Sequence, residues 1–478
     1  MKNVMKLVAV IALAALIGFG MASCGGGAED TTPRVNGVTV NSGSFIVVRG
    51  TTMKFNAVVS AANNPETTVT WTVSGGGAGT DIDEDGLLTV AAGETAESLT
   101  VTATSTFNTA RSGSKTVFVS DTQADGSFVV NSAASLNSAF EEIRNGGDNK
   151  TYTIQVSGNF SLGSNTYYQY TFGTVNNLTV FFSGNSTITM TGYNYIMRLS
   201  SSQKVIIIDV KFRGYSNNLY SMVAIEGGEV IMAGSASISD NKIISTFNPS
   251  LFKGGSAVYI IDNGSLTMQD YAQIRGNNAP DAIESSDGGG VFVEWGNLTM
   301  KDNAAILDNH ANSRGSGVYV GFRGKFTMQD NSYLINNTDL NIWNRSGGVY
   351  VDGSSSNQGE FTMMDDAQIR GNSTGSYGGG VTVSNGIFNM MDRAAVTGNY
   401  ANRGGGVYVY SDGIFRISGG SITDNTAFNS FANLYVWSGG GSATPIAERG
   451  TFIGGVWTPK GTLDSTDDPI IVVDGELQ

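Results

Sequence analysis

Apolar and polar residues alternate in short runs between residues 34 and 120: Val38-Thr39-Val40, Phe55-Asn56-Ala57-Val58-Val59, Val69-Thr70-Trp71-Thr72-Val73, Leu87-Leu88-Thr89-Val90 and Leu99-Thr100-Val101-Thr102-Ala103. A period of two puts successive side chains on opposite faces of an extended chain, so each run predicts a half-buried strand. Asp85-Gly86, between Ile82 and Leu87, predicts a tight hairpin turn, because glycine takes the positive φ that such turns demand. Several short strands separated by turns predict a β-sandwich. Trp71 is in phase with Val69 and Val73 and is expected in its core.

The pattern then changes. Leu136, Ala139, Phe140 and Ile143 recur at helical spacing within Ser135 to Arg144, which predicts one amphipathic helix. From Val223 onward a unit recurs: Gly-Gly-Val-Tyr-Val, then Phe-Thr-Met, an Asp turn, and Ile-x-Gly-Asn. Its opening Val stands at 258, 291, 318, 349, 381 and 407, at spacings of 33, 27, 31, 32 and 26 residues. A repeat of about thirty residues with three short strands predicts a solenoid in which each unit is one coil. Coils stack about 4.8 Å apart, so equivalent residues form columns.

Asn241, Asn277, Asn309, Asn337, Asn372, Asn399 and Asn425 form one column. An inward amide can bond the coils above and below, which predicts a structural asparagine ladder. The residue before each is Asp, Gly or Asn, the types that tolerate a left-handed turn. A second turn column holds Asp270, Asp302, Asp330, Asp365 and Asp392 between Gly234 and Gly419. These carboxylates are candidates either for calcium, a hard cation that takes oxygen ligands, or for a bend that accepts Asp or Gly. In the first strand of each coil the middle residue points outward: Tyr259, Phe292, Tyr319, Tyr350, Thr382, Tyr408 and Tyr435. Such an aromatic row either stacks sugar rings or stacks on itself to stiffen the sheet. In the second strand the outward column, Thr267, Thr299, Thr327, Thr362, Asn389 and Arg416, reads as plain surface, and Met268, Met300, Met328, Met363 and Met390 as core. Coil length varies after the Asn column, at 242–253, 278–287, 338–346 and 426–432, so insertions emerge along one edge. That edge, which carries Trp343, is a candidate recognition face.

Composition narrows the chemistry. The 478 residues include 64 Gly and 7 Pro, with only 14% charged side chains, which fits turn-dense β structure. A net charge of −14, with no long Lys/Arg run, argues against nucleic acid as a partner. One Cys and one His exclude disulfide scaffolds, zinc clusters and Cys/His nucleophile pairs. The Cys is Cys24, which closes an apolar run that begins at Leu7 behind Lys2 and Lys6. That run is too short to span a bilayer and predicts a signal peptide over residues 1–23. Met21-Ala22-Ser23-Cys24 resembles a bacterial lipobox, with Met21 departing from the usual Leu. The resemblance implies a lipid on Cys24, a flexible tether over 24–33, and a protein held at the cell envelope, on an outer membrane facing the exterior.

Val69-Thr70-Trp71-Thr72-Val73-Ser74-Gly75 and Ile82 to Val90 resemble the bacterial immunoglobulin-like domain, group 2, a module that serves as spacer or adhesin. The repeats of residues 128–478 resemble the right-handed parallel β-helix of the pectate-lyase type, in which a short helix caps the N-terminal end. The expected fold is therefore all-β, an immunoglobulin-like sandwich over 34–120 followed by a right-handed parallel β-helix solenoid. Asn337-Thr338-Asp339 and Asp365-Asp366 resemble the first two polygalacturonase motifs, but the later Gly-His-Gly and Arg-Ile-Lys elements are absent and His310 lies upstream of both. Arg275 and Arg370 share one repeat column and read as exposed repeat residues. The sequence thus predicts a non-catalytic surface lipoprotein without a required cofactor, recognising glycans or host or other extracellular proteins. The alternative is a polysaccharide lyase or glycoside hydrolase on the same fold.

Overall fold

The computed structural model describes residues 31–163, 170–244, 254–279, 287–339, 346–437, 444–453 and 456–478. Residues 34–120 form two four-stranded sheets. One orders Arg34–Ser42, Thr52–Ala62, Leu87–Thr89 and Asp81–Ile82; the other orders Ile46–Val48, Ser112–Ser120, Ser98–Ser105 and Val69–Ser74. Both contribute to one core around Phe55, Leu88, Leu99, Val101 and Val117. Trp71 is half-buried against it, its ring 6.4 Å from that of Phe55. The Asp85-Gly86 turn forms, with Asp83 Oδ1 accepting from the backbone amides of Asp85 and Leu87. Gly86 has φ +80°, and a Cβ there would lie 2.9 Å from both the Phe55 carbonyl and the Trp71 ring.

The rest of the described chain is a right-handed β-solenoid of about ten coils. Its first strands form a nine-stranded sheet from Met197–Ser200 to Leu434–Val436, paired in parallel and in register from coil to coil. Second strands form a thirteen-stranded sheet and third strands a twelve-stranded one. A fourth strip of six short strands follows the Asn column, from Asn278–Ala279 to Thr426–Ser430. The repeat predicted three strands per coil; two-residue strands such as His310–Ala311 are too short to show an alternation. The paired glycines of the repeat mark where coils touch. A Cβ on Gly290 would sit 2.7 Å from the Gly317 carbonyl of the next coil.

Both ends of the stack are closed. The helix Ala133–Asn145 starts with a capping box between Ser132 and Ser135 and buries Leu136, Ala139, Phe140 and Ile143. Phe140 stacks 4.8 Å from Phe172, so the helix lids the first coils. At the other end the pairing turns antiparallel: Ile446–Ile453 folds back on Val456–Thr462, and Ile470–Val473 runs against Gly420–Thr423. Pro459 and Lys460 on the edge strand Val456–Thr462 discourage further strand addition. No helix among the described residues is long and apolar enough to cross a membrane.

The sandwich packs on the solenoid's flank. Phe118, with Phe45 and Ile46, covers Phe181, Ile206, Ile208, Ile231 and Ala233 on the outer face of the second-strand sheet. Thr116 Oγ1 donates to Asp270 Oδ1 at 2.7 Å, and Lys204 Nζ reaches Glu97 Oε2 at 2.9 Å. A spacer standing apart would leave those apolar residues in water; burying them favours contact.

Candidate binding faces of the solenoid

The two polar columns serve the backbone. Asn241 through Asn425 are buried inside the coil. From Asn277 onward each side-chain oxygen accepts from the backbone amide of the preceding Asn, for example Asn309 N to Asn337 Oδ1 at 3.0 Å and Asn337 N to Asn372 Oδ1 at 2.8 Å. Their Nδ2 groups donate onward as well, as Asn372 Nδ2 does to Asn399 Oδ1 and to the Leu334 carbonyl, both at 3.0 Å, while Asn241 Nδ2 donates to the Tyr220 and Ser256 carbonyls. Asn218 extends the column upstream and Asn433 ends it. The residues before the Asn column all have φ between +54° and +66°. In the Asp column, Oδ2 of Asp302, Asp330, Asp365 and Asp392 each accepts from the backbone amide of the Asp one coil earlier, at 3.0 to 3.1 Å. Asp270 does the same for Gly234, and burial there raises its pKa. The carboxylates thus cap turns. Among the described residues no three His, Cys, Asp or Glu side chains form a group that could hold a metal ion.

The aromatic row, for which the alternation gave an outward direction and left a sugar platform and a self-stacking ladder both open, is stacked on itself and covered. Tyr259, Phe292, Tyr319 and Tyr350 stack on one another with centroids 5.4, 5.0 and 6.0 Å apart. Phe292, Tyr319, Tyr350 and Tyr408 are at most 5% exposed, while Tyr259 and Tyr435 are half-buried. The cause is packing from beyond the strand: a Cβ on Gly254 would strike the Phe292 ring, and the Arg314 guanidinium lies over Tyr319 and Tyr350. Burial pushes the Tyr319, Tyr350 and Tyr408 phenols well above their ordinary range. At the Thr382 gap, Tyr377 stacks 4.8 Å from Tyr408, and Tyr410 bonds Tyr350 through their hydroxyls at 2.5 Å.

Sequence reasoning did not find the polar knot on this layer. Arg314 is held by Asp287 and Asp352, each at 2.6 Å, with Asp287 only 3% exposed. Asp287 and Arg314 stand at one repeat position, four residues before the opening Val of successive coils, but the residue type there changes from coil to coil, and Asp352 follows the strand Val349–Val351, so no column of like residues marks them. Phe326, Phe361, Phe388 and Phe415 form a second, inward stack, with centroids 4.7 to 5.1 Å apart. Arg275 and Arg370 are exposed, as repeat residues should be. His310 lies half-buried in the fourth strip, its Nε2 3.0 Å from Asn312 Oδ1. Cys24 and Trp343 lie outside the described residues.

The class these features define is an all-β protein built on a β-solenoid, with its repeat columns spent on holding coils together. No family model matches the chain. Over 81 residues it is 44% identical to the major capsid protein of Bacillus phage B103, a stretch covering 17% of this chain and 18% of the phage protein. The chain therefore spans less than a fifth of that relative's length, about the extent of one small domain.

Proposed function

We propose that the protein is a non-catalytic recognition module displayed at the cell envelope through a lipid on Cys24. In this reading residues 34–120 are a group 2 bacterial immunoglobulin-like domain, and the solenoid is a β-helix of the pectate-lyase type. The sandwich is part of the displayed body, and the outer turns and edge of the solenoid meet glycans or extracellular proteins. The observation that carries the reading is the use of the repeat. The Asn column, the Asp column and the aromatic row bond or stack within the solenoid, while length variation falls mainly along one edge. A hydrolase or lyase needs an acid or base free to reach a sugar. Of the three motif carboxylates, Asp365 caps a turn, Asp366 pairs with Arg393 at 2.5 Å, and Asp339 is 1% exposed.

The test is incubation of the purified chain with uronate-containing and neutral polysaccharides, with and without calcium. Binding with intact recovery of the polymer is expected. Sustained release of reducing ends or unsaturated sugars would establish the enzymatic alternative.

A further inference from the structure

The sandwich sheet that orders Ile46–Val48, Ser112–Ser120, Ser98–Ser105 and Val69–Ser74 has two different ends. At one end Ile46, with Phe45 and Phe118, lies against the solenoid. Val69–Ser74 is the opposite edge, and it pairs on one side only, antiparallel with Ser98–Ser105. The register fixes which groups that leaves open. Thr106 N donates to the Thr68 carbonyl at 3.1 Å, and Thr70 stands opposite Thr104 and Thr72 opposite Thr102, so the even positions spend their backbone bonds inside the sheet. The N–H and C=O groups of Val69, Trp71 and Val73 point the other way and have no partner among the described residues.

Proteins ordinarily guard such an edge. Arg34–Ser42 is broken by a register shift between Val35 and Gly37, Asp81–Ile82 is only two residues long, and Val456–Thr462 carries Pro459 and Lys460. Val69–Ser74 has no proline, charge or register shift, and all its residues but Ser74 are β-branched or aromatic. It also reads nearly the same in both directions about Trp71. Val69 mirrors Val73, Thr70 mirrors Thr72, and Thr68 mirrors Ser74.

We infer that this edge pairs with the same edge of a second copy of the chain, antiparallel about a two-fold axis at Trp71, to make one continuous sheet across a dimer. In that register Trp71 faces Trp71 and Val69 faces Val73, each a pair that exchanges both backbone bonds, so every open group on the two strands is used. Thr70 then faces Thr72 and the half-buried indoles lie side by side, pairings that favour a sheet. Glu66, the nearest charge along the chain, comes opposite Gly76, so no like charges meet along the strand. A foreign strand would find the same open groups but not the mirrored side chains. Because the docked end of each sheet lies outermost, the two solenoids stand at opposite ends of the shared sheet. The inference goes beyond the recognition reading and does not depend on what the solenoid binds.

The test is sedimentation velocity of the purified chain over a range of concentrations, with amide hydrogen exchange read at Val69, Trp71 and Val73. Wild type should pass from monomer to dimer, and these amides should become protected as it does. Thr70→Lys combined with Thr72→Lys sets like charges opposite one another and should weaken the dimer on the order of tenfold or more. Thr70→Glu combined with Thr72→Lys sets opposite charges together in this register and should restore it. Both positions are exposed, so each variant should melt at the wild-type temperature. Wild type that stays monomeric up to about 0.1 mM would overturn the proposal, as would a dimer that the double-lysine variant leaves intact. Protection of the same amides in the monomer would give the edge to another segment of its own chain and overturn self-pairing. A glutamate–lysine variant that associates no better than the double-lysine one would overturn the two-fold register.

Discussion

One register column on the outside of the second-strand sheet reads Phe181, Ile206, Ile231, Thr267, Thr299, Thr327 and Thr362. The inward neighbours do not change character along it, running Val180, Val205, Val230, Leu266 and Leu298. The outward ones do. The first three are at most 5% exposed beneath the sandwich, and the four threonines are half-exposed. The interior of a coil is dictated by stacking, whereas its outer face is dictated by whatever lies against it.

Substitutions at the two ends of that column should differ most. Ile206→Asp places an unpaired carboxylate in the apolar junction and should cost about 3 to 5 kcal/mol, with the 121–125 connection becoming sensitive to protease. Thr327→Asp, four coils on, should stay within about 0.5 kcal/mol by thermal melting. Asn372→Ala probes the interior shared by both ends and should cost about 1 to 3 kcal/mol, because it leaves buried backbone groups unpaired. Comparable losses for Thr327→Asp and Ile206→Asp would erase the contrast.

Acid should separate the sandwich from the solenoid. The Glu94 carboxylate accepts from Thr80 Oγ1 and from the backbone amides of Ala96, Gly77 and Thr95, and these bonds hold its pKa down to about 2. A carboxylate lowered in the folded state contributes stability that is present above its unfolded value of 4.5 and is lost as pH falls through about 2. The sandwich signal should therefore weaken across that window, and Glu94→Gln should flatten the dependence. The smallest effect is expected for Lys204→Ala. It removes an ion pair whose Glu97 side chain is 68% exposed, and should cost less than about 1 kcal/mol.

The solenoid was legible because its columns repeat: a single Asn says little, but seven at coil spacing identify an inward ladder. Its interface with the sandwich was legible in principle. Val205 to Ile208 and Val180 to Phe182 are continuous apolar runs without alternation, as strands buried on both faces should be. The aromatic row shows the limit, since alternation gives a direction but not a cover. Tyr319 points outward and is still 2% exposed, because Arg314 lies over it from the turn before its strand. Tyr377 and Tyr410 fill the Thr382 gap from outside the column, and no periodicity announces them.

The claim on which the display geometry depends is that sandwich and solenoid form one docked body. Lys204 tests it directly, because its ammonium lies 2.9 Å from Glu97 in the sandwich and 3.2 Å from Glu229 within the solenoid. Zero-length carbodiimide coupling of the dilute monomer, read by mass spectrometry, should give both the Lys204–Glu97 and the Lys204–Glu229 cross-links, and Ile206→Asp should abolish only the first. Recovery of the Lys204–Glu229 link alone from the wild-type chain would contradict docking and restore the sandwich to the role of a tethered spacer.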